Sequence, residues 1–114
     1  MDPTIVELAG KLGKAIAQSQ EAAGLRAARQ EMDKHPELKK LLEDYRAQAD
    51  RIGDLEAQNK PVEVDDKRKL RDVHEKLMAS EVFKRYTAAQ VDYVDLIRKV
   101  SDAMRGELTQ TEQD

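Results

Sequence analysis

The sequence predicts an all-α fold, an elongated bundle of about four to five helices with a long antiparallel helical hairpin. Two apolar stripes predict this fold, because in each one apolar residues recur mostly every three or four positions over about twenty residues. Such spacing places side chains along one side of a helix, as the seam of a hairpin or coiled coil requires. The first stripe is Leu38, Leu41, Leu42, Tyr45, Ala49, Ile52 and Leu55, and the second is Val82, Tyr86, Ala89, Tyr93, Leu96, Val100 and Met104.

Composition supports the same fold class. Of the 114 residues, 38% are charged and only 4% are aromatic. Ala, Leu, Glu, Lys, Arg and Gln are frequent, and all of them favour helices. A high charge fraction combined with regular apolar spacing is typical of long helices with solvated sides. A chain of this length forms one domain at most, so we expect residues 1–114 to be a single helical domain.

The first predicted helix spans residues 3–18, with Asp2 as its N-cap and Pro3 at its first position. Ser19 is predicted to cap a second helix, residues 20–34. Whether the two are separate helices or one bent helix stays open at this point. We expect the apolar face of the first helix to pack in the core; it consists of Ile5, Leu8, Ala9, Leu12 and Ile16.

The dipeptide His35-Pro36 marks the next boundary, because a proline disfavours the helical conformation at the residue before it. The third predicted helix therefore spans residues 36–59. It stops at the turn from Asn59 to Pro61, where the proline cannot continue a helix.

The fourth predicted helix, residues 65–79, is short and is capped by Asp65 or Asp66. It carries the densest basic run of the chain, which acidic residues flank and no aromatic residue interrupts. The alternative function for this chain is a nucleic-acid-associated accessory protein that contacts phosphates through this run, although the flanking acids and the lack of aromatic residues argue against it. The candidate residues are Lys67, Arg68, Lys69 and Arg71.

The fifth predicted helix spans residues 81–105, with Ser80 as its N-cap. Gly106 stands where a C-cap glycine would end the helix. The polar tail, residues 106–114, is predicted to fray.

The hairpin stripes are the predicted interaction surface. The third and fifth helices would be about 36 and 38 Å long, whereas a compact globule of this length is only about 34 Å across. Part of the stripes is therefore left for a second copy, and we predict a homodimer that also binds other protein subunits. The interface candidates are Leu38, Leu42, Tyr45, Ile52, Tyr86, Tyr93 and Val100.

Residue types that perform catalysis or hold metals do not cluster in the sequence. The two histidines, His35 and His74, lack metal-ligand spacing. Carboxylates alternate with basic residues four positions away, as in Asp95 and Lys99, which is typical of a solvated helix face. The chain has no cysteine, which excludes disulfides and thiolate chemistry. We predict no enzymatic activity, no cofactor, no metal and no small-molecule substrate.

No membrane or export signal is evident. The chain has no apolar run of about eighteen residues, and its first residues lack the features of a signal peptide. The net charge of -3 provides no general attraction to anionic surfaces. An alternative for the first helix is an amphipathic anchor that lies in a membrane surface, because Lys11 and Lys14 are opposite its apolar face. The helix contains neither Trp nor Phe, which argues against this alternative. We expect a cytoplasmic protein.

These features together resemble the small bacterial YlbF/YheA-like family. The likeness covers nearly the whole chain and depends on the order and spacing of four short patterns. They are Ile5-x-x-Leu8-Ala9-x-x-Leu12-x-x-x-Ile16-x-x-Ser19, then His35-Pro36-Glu37 with Leu41-Leu42-x-x-Tyr45, then Lys60-Pro61, and finally Tyr86-x-x-Ala89-Gln90-x-x-Tyr93-x-x-Leu96-x-x-x-Val100.

The resemblance implies a self-associating helical bundle without enzymatic activity. Better-studied relatives regulate competence, sporulation and biofilm development in Gram-positive bacteria, in a protein complex that influences an endoribonuclease and mRNA processing. Some of them carry cysteines linked to an iron–sulfur cluster, a property that is not expected here because this chain has no cysteine. The YheA-like branch, whose function is unknown, resembles the chain most.

Overall fold

A computed structural model of the chain describes residues 3–113, with side chains described through residue 110. Within these residues every regular element is an α-helix, so the prediction of an all-α bundle is confirmed. Asp2, the predicted N-cap of the first helix, lies outside the described residues. The helices of the described part are α1 (Pro3–Ala17), α2 (Gln20–Asp33), α3 (Pro36–Ala57), α4 (Val64–Met78) and α5 (Glu81–Gln113).

Two serines begin helices as predicted. The Ser19 hydroxyl accepts a hydrogen bond from the amide of Ala22 at 3.1 Å and donates one to the carbonyl of Ile16 at 2.6 Å. This cap satisfies one of the first amides of α2 and separates α1 from α2, so they are two helices. Ser80 caps α5 in the same way, accepting a hydrogen bond from the amide of Phe83 at 3.2 Å.

The predicted stop of α3 is confirmed at Asn59, which adopts a left-handed conformation with φ of 56°. The amide of Lys60 donates to the carbonyl of Leu55 at 2.8 Å, and the amide of Asn59 donates to the carbonyl of Glu56 at 3.1 Å. These two hydrogen bonds form a Schellman motif, which satisfies carbonyls at the end of a helix. Asparagine adopts this conformation more readily than most other residues with a side chain.

The predicted N-cap of α4 is wrong by two or three positions. Glu63 is the N-cap, and Asp66 is the third helical residue. The Oδ2 atom of Asp66 accepts a hydrogen bond from the amide of Glu63 at 3.3 Å, the contact that an acidic residue at this position makes in a capping box. Aspartate suits both positions, so the residue type alone did not distinguish them.

The predicted end of α5 is also wrong. The helix continues through Gly106 to Gln113, so the described part of the predicted frayed tail is helical. A C-cap glycine takes a positive φ, and no described glycine has one. A single glycine within a helix costs only about 1 kcal/mol relative to alanine. The residues that follow include Glu107, Leu108 and Gln110, which favour helices.

Contacts divide the chain into two compact units. The terminal unit consists of Met1–Ala28 and Thr87–Asp114, and the central unit consists of Arg29–Tyr86. The terminal unit therefore contains α1, the first part of α2 and most of α5, and the central unit contains α3 and α4. That residues 1–114 form one domain stays a prediction.

In the central unit, α3 and α4 form an antiparallel pair. The ring of Tyr45 lies 5.9 Å from the ring of His74, and Gln48 and Arg51 contact Asp66 further along. A connection of only six residues, 58–63, favours such antiparallel neighbours. The sequence pattern predicted that the α3 stripe packs against the last helix, whereas the contacts described here join α3 to α4.

Candidate functional site

The predicted interface residues are largely covered within the chain itself. Leu38 and Tyr86 are buried. Half-buried positions are Leu42, Tyr45, Ile52, Tyr93 and Val100. The two stripes therefore contribute to the packing of the chain, and a role for them between chains stays a prediction.

The basic side chains of α4 are exposed, and Lys69 lies on a different side of the helix from the other three. Consecutive positions of a helix are about 100° apart, so the first three of the run point in different directions. The Nη1 atom of Arg68 lies 4.0 Å from Oδ1 of Asp65, and Lys69 lines a groove together with Asp44 and Asp72. These carboxylates reduce the positive potential of the run. Its residues are Lys67, Arg68, Lys69 and Arg71.

The one buried charged residue among those described is Asp66, where α4 meets α3. Nε of Arg51 lies 3.2 Å from its Oδ1 atom, and Nε2 of Gln48 donates to its main-chain carbonyl at 3.0 Å. Burial by itself raises the pKa of the Asp66 carboxyl. Hydrogen bonds from Arg51, the amide of Glu63 and Gln48, together with the Arg51 charge, outweigh burial and lower that pKa.

The Asp66 carboxylate is therefore charged at neutral pH, and its two oxygens already have partners. A catalytic acid or base needs a pKa near the working pH and access to a substrate. Asp66 has neither, and its contacts hold the first turn of α4 against α3. We assign it a structural role.

A groove of mixed polarity lies in the terminal unit between the first turn of α2 and the middle of α5. Nζ of Lys99 lies 3.1 Å from Oδ2 of Asp95 within it, which confirms the predicted pairing of these two residues. Among the described residues no group of three or more metal-ligand side chains is placed to hold an ion. The groove is lined by Gln20, Glu21, Asp92, Asp95, Leu96 and Lys99.

Helix α1 exposes the apolar face that we expected in a core. The exposed fraction is 64% at Ile5, 59% at Leu8 and 37% at Leu12, and Ile16 at the end of the helix is half-buried. No residue of α1 is buried. The expectation of core packing is therefore wrong for the single chain. The apolar side of α1 was predicted correctly, but the described residues leave most of it exposed.

Helix α5 adds further uncovered apolar side chains in the same unit. Val91 and Val94 lie off the predicted stripe, and Leu108 lies beyond Gly106, where no helix was expected. The four-residue spacing of Met104 and Leu108 could have predicted the longer helix, because it places both residues on the same side of a helix that continues past Gly106. The exposed apolar residues of this part of α5 are Val91, Val94, Met104 and Leu108.

The fold and these surfaces define a small all-α protein with uncovered apolar helix faces. No described helix has both the length and the apolar content that crossing a membrane requires. The chain belongs to the family described as control of competence regulator ComK, YlbF/YmcA, whose family model matches residues 5–109. The family resemblance is thus confirmed, and placement in the YheA-like branch stays a prediction. Neither the curated proteins nor the solved structures contain a match to this chain.

Proposed function

We propose that this protein is a non-enzymatic, cytoplasmic regulator that acts by binding proteins, including a second copy of itself. Membership of a family described by its control of a competence regulator supports the regulatory part. The observation that carries the binding part is the uncovered apolar surface of the terminal unit. More than half of the residue surface is exposed at Ile5, Val6, Leu8, Val91, Val94, Met104 and Leu108.

This surface favours a binding role because most of the exposed large apolar side chains lie in this unit, with Val64 and Met78 the exceptions in the central unit. Single exposed apolar side chains are common on proteins, but extended apolar patches mark interaction sites. Fully burying one such side chain contributes about 1.5–3 kcal/mol. A helix as short as α1 is marginal in water without packing. Binding of a partner protein that covers these helices would therefore be favourable and would stabilise the helices.

The self-association part is tested by sedimentation equilibrium of the full chain over a wide concentration range. A single chain has a mass of 12.9 kDa, and we expect the average mass to rise to at least twice that value. The variant with Tyr45→Ala and Tyr93→Ala tests whether the predicted stripe takes part in this association. We expect weaker association, since large aromatic residues dominate many interfaces. A wild-type protein that stays a single chain at every concentration would contradict the proposal.

The regulatory part is tested in the host of the protein. We expect deletion of the gene to change the output of a reporter that depends on a ComK-type competence regulator. The wild-type gene supplied in trans should restore that output. An unchanged reporter in the deletion strain would argue against a role in competence control.

The nucleic-acid alternative has a separate test. We expect the wild-type protein not to be retained on RNA or DNA at low salt, because carboxylates lie beside the α4 basic run. Salt-dependent retention would favour the alternative. The control replaces the basic run with glutamate at Lys67, Arg68, Lys69 and Arg71, and retention through phosphates would disappear in it.

A further inference from the structure

We infer that one exposed side of α4 binds an acidic helical segment of another protein. The inference rests on protein binding, a part of the proposed function, and adds a location in the central unit and the chemistry of the partner. We call this side the α4 stripe. It consists of Val64, Lys67, Arg71, His74 and Met78.

The first observation is the spacing of the α4 stripe. Its members follow one another at steps of three, four, three and four residues, and all of them are exposed. At about 100° per residue they lie within about 80° of one another on the helix. Two helices that pack side by side along a seam use this spacing. The stripe extends about 21 Å along α4, which a partner helix of about fifteen residues covers.

The two ends of the α4 stripe are apolar and uncovered. The exposed fraction is 71% at Val64 and 39% at Met78. The other large apolar side chains of α4 lie on the side that packs against α3, about 130° round the helix from these two. They are Leu70, Val73 and Leu77, which are half-buried or buried. Pairing with α3 therefore leaves Val64 and Met78 in water, and a partner that covers both gains their burial.

The middle of the α4 stripe is basic. Lys67 and Arg71 are one helical turn apart, and neither forms an ion pair with any residue that the structure describes. Glu75 lies one turn after Arg71, at the edge of the stripe, and the two form no ion pair. Like charges four positions apart weaken a helix, so this pair does not stabilise α4. Carboxylates of a partner would face two cations that have no counter-charge in the described chain.

The pattern of the stripe specifies the chemistry of the partner. Complementary interfaces place opposite charges face to face, and a helix laid along another is recognised through residues at this spacing. The partner is therefore a helix with carboxylates between two apolar residues. A strip about 21 Å long and 10 Å wide has only about 200 Å² of flat area. We expect weak, reversible binding, with a dissociation constant on the order of 10–100 µM.

A protein helix fits the stripe better than a nucleic acid does. Phosphates gain nothing from Val64 and Met78. Nη1 of Arg68, beside the stripe, lies 4.0 Å from Oδ1 of Asp65, and Lys69 lines a groove with two carboxylates on another side of α4. A nucleic acid carries a negative charge at every phosphate and would meet these carboxylates. A helix presents carboxylates only where the stripe is basic.

The test uses a designed peptide as its probe. The probe is a fluorescent, alanine-rich helix of about twenty residues, with two leucines and, between them, glutamates at the spacing of the α4 stripe. A control peptide carries glutamine in place of each glutamate. Fluorescence anisotropy with the full chain measures both dissociation constants. We expect the glutamate peptide to bind at least about 10-fold more tightly, and its binding to weaken as salt is added.

Charge reversal tests the location of the site. One variant carries Lys67→Glu and Arg71→Glu in the α4 stripe. The matched control carries Lys69→Glu and Lys76→Glu, which are exposed on the opposite side of the same helix. Both variants change the net charge equally. We expect the dissociation constant to rise at least about 10-fold in the first variant and to stay within about 2-fold of wild type in the control. Circular dichroism checks that both keep their helices.

A charge swap provides a readout that does not depend on loss of binding. A third peptide carries lysine in place of each glutamate. We expect it to bind the variant with Lys67→Glu and Arg71→Glu at least about 10-fold more tightly than wild type. The control variant with Lys69→Glu and Lys76→Glu has the same net charge and should gain no such binding.

The apolar ends have their own pair of variants. Val64→Ser with Met78→Ser should weaken binding of the glutamate peptide about 10-fold. Val91→Ser with Met104→Ser makes the same chemical changes at exposed positions of the terminal unit. This control should bind the peptide as the wild type does.

The outcomes separate this inference from the proposed function. Equal binding by the two charge-reversed variants, or of the glutamate and glutamine peptides, overturns the α4 stripe as the site, as does a wild-type dissociation constant above about 1 mM. Retention of the wild type on RNA, lost with Lys67→Glu and Arg71→Glu, would assign the stripe to nucleic acid and also overturn the inference. Sedimentation equilibrium of the wild type measures the proposed self-association separately, so either can fail while the other stands.

Discussion

The central and terminal units differ in how many large apolar side chains they leave exposed, although each buries a leucine, Leu77 in the central unit and Leu25 in the terminal unit. In the central unit, Leu77 is only 1% exposed, and Met32 and Leu38 of the same unit are buried as well. In the terminal unit, Leu8 and Leu108 are 59% and 65% exposed. Both units are helical, so helix formation alone does not account for the difference. The central unit has buried apolar residues and specific polar contacts of its own, and most of the exposed large apolar side chains among the described residues lie in the terminal unit.

This difference predicts two kinds of stability. A partner that binds only the folded state adds stability that depends on concentration. We expect that dependence for residues of the terminal unit. The stability contributed by contacts inside the central unit should not vary with protein concentration.

The largest expected effect comes from comparing leucines. Leu77→Ala removes a fully buried side chain and should lower the free energy of unfolding by about 2–5 kcal/mol. Leu108→Ala should change it by less than about 0.5 kcal/mol when single chains predominate. Urea unfolding of dilute protein, followed by circular dichroism, measures both values. Equal losses of unfolding free energy for Leu77→Ala and Leu108→Ala would contradict the difference in burial between the two units.

A smaller loss is expected on breaking the Asp66 contacts of the central unit. Because its pKa in the folded chain is lowered, the carboxylate contributes stability above its ordinary pKa of about 3.9. That contribution disappears as pH falls through the folded value. Asp66→Asn should therefore destabilise the protein at pH 7, by an amount that shrinks below about pH 4.

The matched control for Asp66 is Asp65→Asn, which changes an exposed carboxylate in the same helical turn. We expect little change in the free energy of unfolding from it at any pH. Urea unfolding from pH 3 to pH 7 compares the two variants. A difference between Asp66→Asn and wild type that is the same at every pH would contradict a role for the charge.

The two serine caps sharpen the comparison between the units. Ser80→Ala and Ser19→Ala should each cost about 1 kcal/mol, the usual effect of losing an N-cap. Ser80 belongs to the central unit, so its effect should be independent of concentration. Ser19 belongs to the terminal unit, and its variant should regain stability as association increases. Identical concentration dependence in thermal unfolding of the two variants would speak against the contrast.

The smallest expected effect is at the turn after α3. Asn59→Gly should change the free energy of unfolding by less than about 0.5 kcal/mol, because glycine also adopts a positive φ. Asn59→Ala should cost about 1 kcal/mol, since alanine lacks that freedom. Chemical denaturation measures both variants. Equal stability of the two would argue that the left-handed turn does not limit the stability of the central unit.

Features that depend on a few neighbouring residues were predictable from the sequence. The caps at Ser19 and Ser80 and the stop at Asn59 were all correct. Local signals failed where one residue type suits two positions. Asp66 proved to be the third helical residue rather than the cap, and Gly106 proved to be an interior position of α5 rather than its end.

The candidate site was predictable only in part. The spacing of Ile5, Leu8 and Leu12 correctly identified the apolar side of α1, but predicted a buried face. The exposed Val91 and Val94 were missed because they lie beside the stripe rather than on it. Whether an apolar residue is covered depends on elements distant in sequence, which helical spacing does not describe.

The sequence by itself determined the helices, their apolar sides, most of their caps and the family likeness. These follow from backbone geometry, because 3.6 residues per turn place each side chain on a known side of its helix. Only the tertiary structure decided which apolar sides are covered, as it placed α4 against α3 and left α1 with no buried residue. Coverage requires contacts between segments far apart in the chain, and these contacts depend on how the whole chain packs.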